Sequence, residues 1–597
     1  MISLFTKNKK KGGSNEKFPE STKEGKFVFI KEKIKKIFFS FGPREKYLIS
    51  LFALIIAGSL LAIGVQIYLS NTKSIPIDGG EYKEAIIGSP RFINPVLSTA
   101  NDADRDLASL IYSGLVKYDP NGEIVADLAD DFKISDDGKE YRFILKPNLL
   151  WEDGKPLTAD DVIFTIETIQ NPKYSSPLYQ SWQGVKISID EEQTIVFKLS
   201  NSYPTFLENA TIGIIPQHIW NEVKPQNFAL SDINLQPIGS GPFKLYKFTK
   251  TNSGLISSYT LTKNDNYHNK KPYIDKLTFK FYASEEDAIK AYNSNATDGI
   301  AFVSPTNIEL LRDAKNINLY EFKMPRSFTV FLNQSQNTLL VEKKIREAIT
   351  YATNKNELID IALNGFGQIS NTPIPPNLIK YYNENLNPLQ YDIEKAKSIL
   401  SEQGWEDLDE DGIREKIPQE NKESNELQRL AFSIITANKS ELIKVAELLK
   451  QQWARAGIGL NILSMELGEL QQNYIHPRSY EMLLFGTILS TIPDPYPFWH
   501  SSQTNDRGLN LAKYKNDDVD KILETARREL NEQKRIEQYK EFQKLVTNDL
   551  PAIFLYDPSY IYPVNKGIQG IKPALIVSSS RRFVGIENWY IETKRVF

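Results

Sequence analysis

The stretch KEYRFILKPNLLWEDGKPLTADDVIFTIETI (139–169) contains a strand, a turn and a helix, in that order. Tyr141, Phe143 and Leu145 recur at every second position, the period of a half-buried strand. Glu152, Asp153 and Gly154 then supply a turn. Thr158 stands where a helix N-cap belongs, with Asp161 three residues on in capping-box position, and Val162, Ile166 and Ile169 fall on one helical face. Further along, IREAITYATNKNELIDIAL (345–363) and ELIKVAELLKQQWARAG (441–457) read as amphipathic helices, the second ending before Gly457. Strand-like and helix-like runs interleave without a visible repeat, so the class is α/β.

At 597 residues, 41% hydrophobic and 25% charged, the chain has the profile of folded globular protein and is long enough for several domains. It contains no cysteine, which leaves no disulfide framework, thiolate metal site, cysteine nucleophile or lipid-modified cysteine in this sequence. The four histidines, His218, His268, His476 and His500, are too far apart in sequence for a local metal pair.

Charge divides the chain unevenly. Residues 1–46 hold 13 Lys+Arg and 5 Asp+Glu, a net of +8, which leaves −11 for the rest of a chain whose total is −3. Between the two parts runs YLISLFALIIAGSLLAIGVQIYL (47–69), uncharged and long enough as a helix to cross about 30 Å of hydrocarbon. The reading is a basic, disordered cytoplasmic tail (1–46), one transmembrane anchor (47–69) and a short linker (70–81). Dense lysines on the N-terminal flank place that side in the cytoplasm and the large acidic part outside the cell membrane. The tail is suited to anionic lipid, and a span beside it argues against a nucleic-acid partner.

The segments FINPVLSTAND (92–102), LIYSGLVKYD (110–119), the run from Leu128 to Ile169, PIGSGPFKLYKF (237–248), IREAITYATNKNELID (345–360) and DPYPFWHSSQ (494–503) resemble, in order, the signatures of the family 5 solute-binding proteins. These are the oligopeptide- and dipeptide-binding components of ABC importers, with nickel- and oligosaccharide-binding relatives. The resemblance runs from about Tyr82 onward. It implies a two-lobed clamshell, periplasmic-binding-protein-like fold of the type II class, with a first lobe of 82–322 plus 551–597 and a second of 323–550. The segment KMPRSFTVFLN (323–333) and residues 556–564 resemble the crossovers between lobes. It further implies a peptide ligand held in the crevice, permease and ATPase subunits of an ABC transporter as partners, a monomer, no cofactor and no catalysis.

The same resemblance suggests site residues. Thr99 matches a first-lobe loop that lines the cleft. In dipeptide-binding relatives an aspartate three residues before an Asp-Pro or Glu-Pro pair holds the guest's α-amino group. Here the pair is Asp494-Pro495 and the position is Thr491, so that ionic anchor is missing unless a local gap brings Asp494 into the role. Where those relatives place a carboxylate-gripping arginine, IITANKSE (434–441) offers Thr436, Asn438 and Lys439, without a bidentate fork. Longer or blocked peptides and nonpeptide solutes therefore gain weight. Trp182 from the first lobe and Phe498 and Trp499 from the second are aromatic candidates for the crevice, weighed against plain core packing.

Two local motifs stand apart. DLDEDGIREK (407–416) has acids at alternate places and Gly412 sixth, the start of a calcium loop, but Pro418 occupies the twelfth place, where an EF-hand needs an acid. Gly239-Ser240-Gly241 fits no phosphate-binding or nucleophile pattern. Three function classes follow: a receptor for an importer, a ligand sensor or peptide chaperone, and a hydrolase. The last has no pair of acids singled out by spacing.

Overall fold

The computed structural model describes residues 35, 40, 42–190, 194–311, 316–417, 427–506, 508–573 and 575–596. Most of the basic tail expected at 1–46 lies outside them. The chain divides into two compact units, residues 1–75 with 593–597, and residues 76–592.

The smaller unit is built on the helix Pro43–Asn71, 29 residues with none buried, apolar on every side and long enough to cross a membrane. The 70–81 segment is more ordered than a linker. Its residues Lys73–Pro76 pair with Thr593–Val596, which were expected in the first lobe, as a two-stranded ribbon. Arg595 ties that ribbon to the helix end, its guanidinium donating to the Thr72 hydroxyl at 3.0 Å.

The larger unit is organised on two large sheets, each with its own core. The first has seven strands, in the order Ile317–Phe322, Tyr560–Asn565, Gly299–Ile300, Glu81–Ile87, Lys276–Tyr282, Ile256–Lys263 and Phe243–Lys250. Glu81–Ile87 runs parallel to both of its neighbours. The second has six strands, in the order Gly367–Ile369, Ala552–Pro558, Arg326–Leu332, Met482–Ile488, Ala431–Ala437 and Gly459–Met465. One core gathers Trp151, Trp182, Trp220 and Trp589, and the other Trp405, Trp453 and Trp499. An additional four-stranded antiparallel sheet, containing Glu140–Leu145, packs into the first core.

The chain passes between the two sheets through residues 323–325 and again through Ser559. These passages run side by side: Phe322 pairs with Tyr560 on one sheet, and Phe328 with Tyr556 on the other. Two short, adjacent connections between two cores are the arrangement from which interlobe hinges are built. The strand Ala552–Pro558 belongs to the second sheet, so the return to the first lobe comes at Tyr560 rather than at 551. Its seven residues are all buried between Gly367–Ile369 and Arg326–Leu332.

Local signals behave as their chemistry dictates. The helix Ala159–Gln170 begins after Thr158, whose backbone N–H donates to the Asp161 carboxylate at 2.9 Å, and it buries Val162, Ile166 and Ile169. The helix expected across 345–363 is two helices, Lys343–Tyr351 and Lys355–Ala362. Asn354 divides them because its side chain accepts the Glu357 N–H at 3.2 Å and so caps a new start. The helix Ser440–Ala454 ends just before Gly457, which takes the left-handed conformation at φ +80°.

Candidate functional site

The first lobe carries a cavity of about 510 Å³ that is open to solvent, within the range of roughly 300 to 1,000 Å³ typical of small-ligand sites. Thr99 and Trp182 both border it, joined by Lys117, Tyr118, Glu208 and Arg581. Trp182 presents little more than an edge, being 1% exposed and packed on Phe197 and Phe206. Tyr118 and Arg581 also line a small hollow together with Thr491 of the second lobe, so the seam between lobes adjoins the cavity.

Two adjacent arginines show how this wall is positioned. Arg582 is 0% exposed and is clamped between Glu84 and Asp106, with the Asp106 contact at 2.6 Å. Glu84 also accepts the Tyr82 and Tyr562 hydroxyls. Held there by its neighbour, Arg581 extends over the Tyr118 ring, its guanidinium carbon 3.3 Å from the centroid. Burial pulls the Arg581 pKa down, against the opposing influence of Tyr118 and Glu208. The Tyr118 hydroxyl is pushed up to about 12, by burial first and then by Glu208.

Thr491 sits at the seam. Its hydroxyl donates to Glu208 Oε1 at 2.7 Å and lies 3.4 Å from the Tyr118 hydroxyl, while the Ile492 N–H reaches the same Glu208 oxygen at 3.4 Å. Among the described residues, neither Glu208 nor Arg581 has an oppositely charged side chain within ion-pair distance. Lys117 differs, because Asp127 lies 3.5 Å away and itself pairs with His268 at 3.0 Å. Burial works to raise the Asp127 pKa, yet the His268 hydrogen bond and the Lys117 charge hold it below the usual carboxylate value.

Asp494 is already engaged. It pairs with Arg527 at 3.0 Å and accepts the Tyr203 hydroxyl at 3.2 Å from the first lobe, with Arg527 stacked between Tyr203 and Tyr496. Burial raises its pKa, and Arg527 opposes that rise. Ser202 adds a bond to the Arg528 carbonyl at 2.8 Å, so this edge of the crevice is latched shut.

Trp499 and Asn438, like Asp494, stand apart from the cavity. Trp499 is 4% exposed and packs on Phe331, Tyr514 and Phe554 inside the second core, since the short helix Tyr496–Trp499 turns it inward. Asn438 is exposed at the end of the strand Ala431–Ala437 and donates to Glu466 at 2.9 Å. His500 is buried, with Ser502 at 2.8 Å and Glu524 at 3.3 Å as partners. Sequence reasoning missed Glu208 and Arg581, which lie in unremarkable local sequence and reach the cavity only through tertiary folding.

A two-lobed unit with a double crossover and a cavity beside the seam matches what comparison finds. Residues 123–509 match the model of the bacterial extracellular solute-binding proteins, family 5, and the chain belongs to that family. It is 28% identical over 539 residues to the oligopeptide-binding protein AppA of Bacillus subtilis, covering 86% of this chain and 92% of the relative. The solved structure of AppA from Bacillus subtilis in complex with a nonapeptide superposes with a TM-score of 0.69 at 26% identity, covering 87% of this chain and all of that one. NikZ from Campylobacter jejuni in complex with Ni(L-His) superposes with a TM-score of 0.70 at 25% identity, covering 86% and 100%.

Proposed function

We propose that this protein is a membrane-anchored, extracytoplasmic receptor that closes its two lobes on a peptide and delivers it to the permease of an ABC importer, performing no covalent chemistry itself. The observation that carries this reading is the cavity beside the seam, lined by a carboxylate, Glu208, and a guanidinium, Arg581, that both act on Tyr118 and have no ion-pair partner among the described residues. Such a pair complements the charged ends of a peptide, while main-chain pairing along the crevice supplies affinity without strict sequence choice. Glu208 takes the amine-holding role at Thr491, the place where dipeptide-binding relatives carry an aspartate. Arg581 takes the carboxylate. The likeness to AppA supports a peptide as guest. The family and the exposed apolar helix Pro43–Asn71 support an anchor with the large unit outside the membrane.

Calorimetric titration with tripeptides tests this. Unblocked peptides are expected to bind best, with N-acetylation or Glu208→Gln each costing about tenfold to a hundredfold, the value of one charged hydrogen bond. Combining the two should add little further loss. C-terminal amidation and Arg581→Ala should behave in the same way. A protein that ignores peptides and binds nickel–histidine would overturn the reading in favour of a NikZ-like solute.

A further inference from the structure

The loop DLDEDGIREK (407–416) opens like an EF-hand, and its twelfth place, Pro418, is outside the described residues and carries no acid in any case. The fold supplies an acid by another route. Glu406 and Glu415 form an antiparallel bridge at the base of the loop, with the Glu406 N–H donating to the Glu415 carbonyl at 3.0 Å. The bridge directs Glu415, ninth in the motif, back among the aspartates. Glu415 is 1% exposed. Its Oε2 accepts the Leu408 N–H at 3.0 Å, but among the described residues its buried Oε1 has no hydrogen-bond partner. Arg429 approaches that oxygen only to 3.7 Å and makes its close contact with Asp411 instead.

A buried carboxylate oxygen left without a donor is costly, and a cation removes that cost. One oxygen each from Asp407, Asp409 and Glu415 lies within 4.8 Å of the others. That spacing fits inside the oxygen shell of Ca²⁺, whose ligands at roughly 2.4 Å stand at most about 4.8 Å apart. We propose that Asp407, Asp409 and Glu415 bind one Ca²⁺, with Glu415 taking the part that the twelfth residue plays in an EF-hand. Three carboxylates on one short loop suit Ca²⁺ better than Mg²⁺, which keeps most of its water and binds through one or two. The ion would brace the second lobe, because Arg414 on the same loop is tied to the Trp405 carbonyl at 2.7 Å and to the Ala456 carbonyl at 3.0 Å.

The test uses the full chain in detergent, stripped with EDTA and titrated with CaCl₂ alone, followed by calorimetry and by thermal unfolding. One binding event is expected, with a rise in Tm and a response to MgCl₂ at least tenfold weaker in concentration. Glu415→Gln and the exposed-site variant Asp409→Asn should each weaken binding tenfold or more, and Glu410→Gln should leave it unchanged. Should Glu415→Gln fail to fold, Asp409→Asn decides alone. Absence of any calcium response up to millimolar concentration, or binding that survives Asp409→Asn, overturns the proposal.

Discussion

Arg581 and Arg582 are neighbours with opposite roles, and the difference lies in what surrounds each. Arg582 is matched by two buried acids and anchors the wall, whereas Arg581 lies over the Tyr118 ring with no acid within ion-pair distance among the described residues, and is the guanidinium proposed to meet a ligand. Trp499 offers a similar contrast with Trp182. Because it packs wholly within the second core, Trp499→Ala should lower stability by about 3 to 5 kcal/mol in chemical denaturation. Peptide affinity of the folded fraction should stay unchanged. Asp557, beside the second crossover and 2% exposed, has its pKa pushed up by burial to about 8. An exposed aspartate in the unfolded chain titrates near 4, so the folded protein holds this proton more tightly. The resulting stabilisation is complete below about pH 4 and is lost as pH rises to about 8, at up to about 1.4 kcal/mol per pH unit. Asp557→Asn should remove that component, seen as a flatter dependence of unfolding free energy on pH across this window.

At the scale of elements, what was legible in the sequence was what is local. The Thr158–Asp161 box is fixed by four consecutive residues, and the helix begins there. Asp161 also accepts the Gln217 N–H at 2.8 Å, which joins the helix start to a distant loop. Asp161→Ala should therefore cost more than a simple cap, about 1 to 3 kcal/mol, measurable as a drop in Tm. The break at Asn354 was hidden because the apolar period continues through it, and only the side-chain bond to Glu357 reveals a second start. The strand Ala552–Pro558 was misplaced for a related reason: a fully buried strand reads alike in either lobe, and only its pairing with Arg326–Leu332 assigns it. The candidate site was least legible. Thr99 was reachable through resemblance, whereas Glu208 and Arg581 are 373 positions apart and are brought together by the return crossing at Ser559.

For the whole molecule, two cores joined by two adjacent passages allow one lobe to rotate on the other without unfolding either. On the proposed function, the seam would read occupancy. Asp494 with Tyr203 and Arg527 closes one edge, and Thr491 with Glu208 closes the part nearest the cavity. On the proposed function, a guest that satisfies Glu208 and Arg581 would favour closure by its differential contacts with the closed form, the state offered to a permease. Native mass spectrometry of the full chain in detergent tests whether the closed form holds peptides. The protein would be purified from peptide-rich lysate and measured before and after unfolding and refolding. A series of added masses from mixed short peptides is expected, lost on refolding, restored by a peptide library, and weakened by Glu208→Gln. A refolded protein that stays empty in the presence of that library would contradict the proposed function.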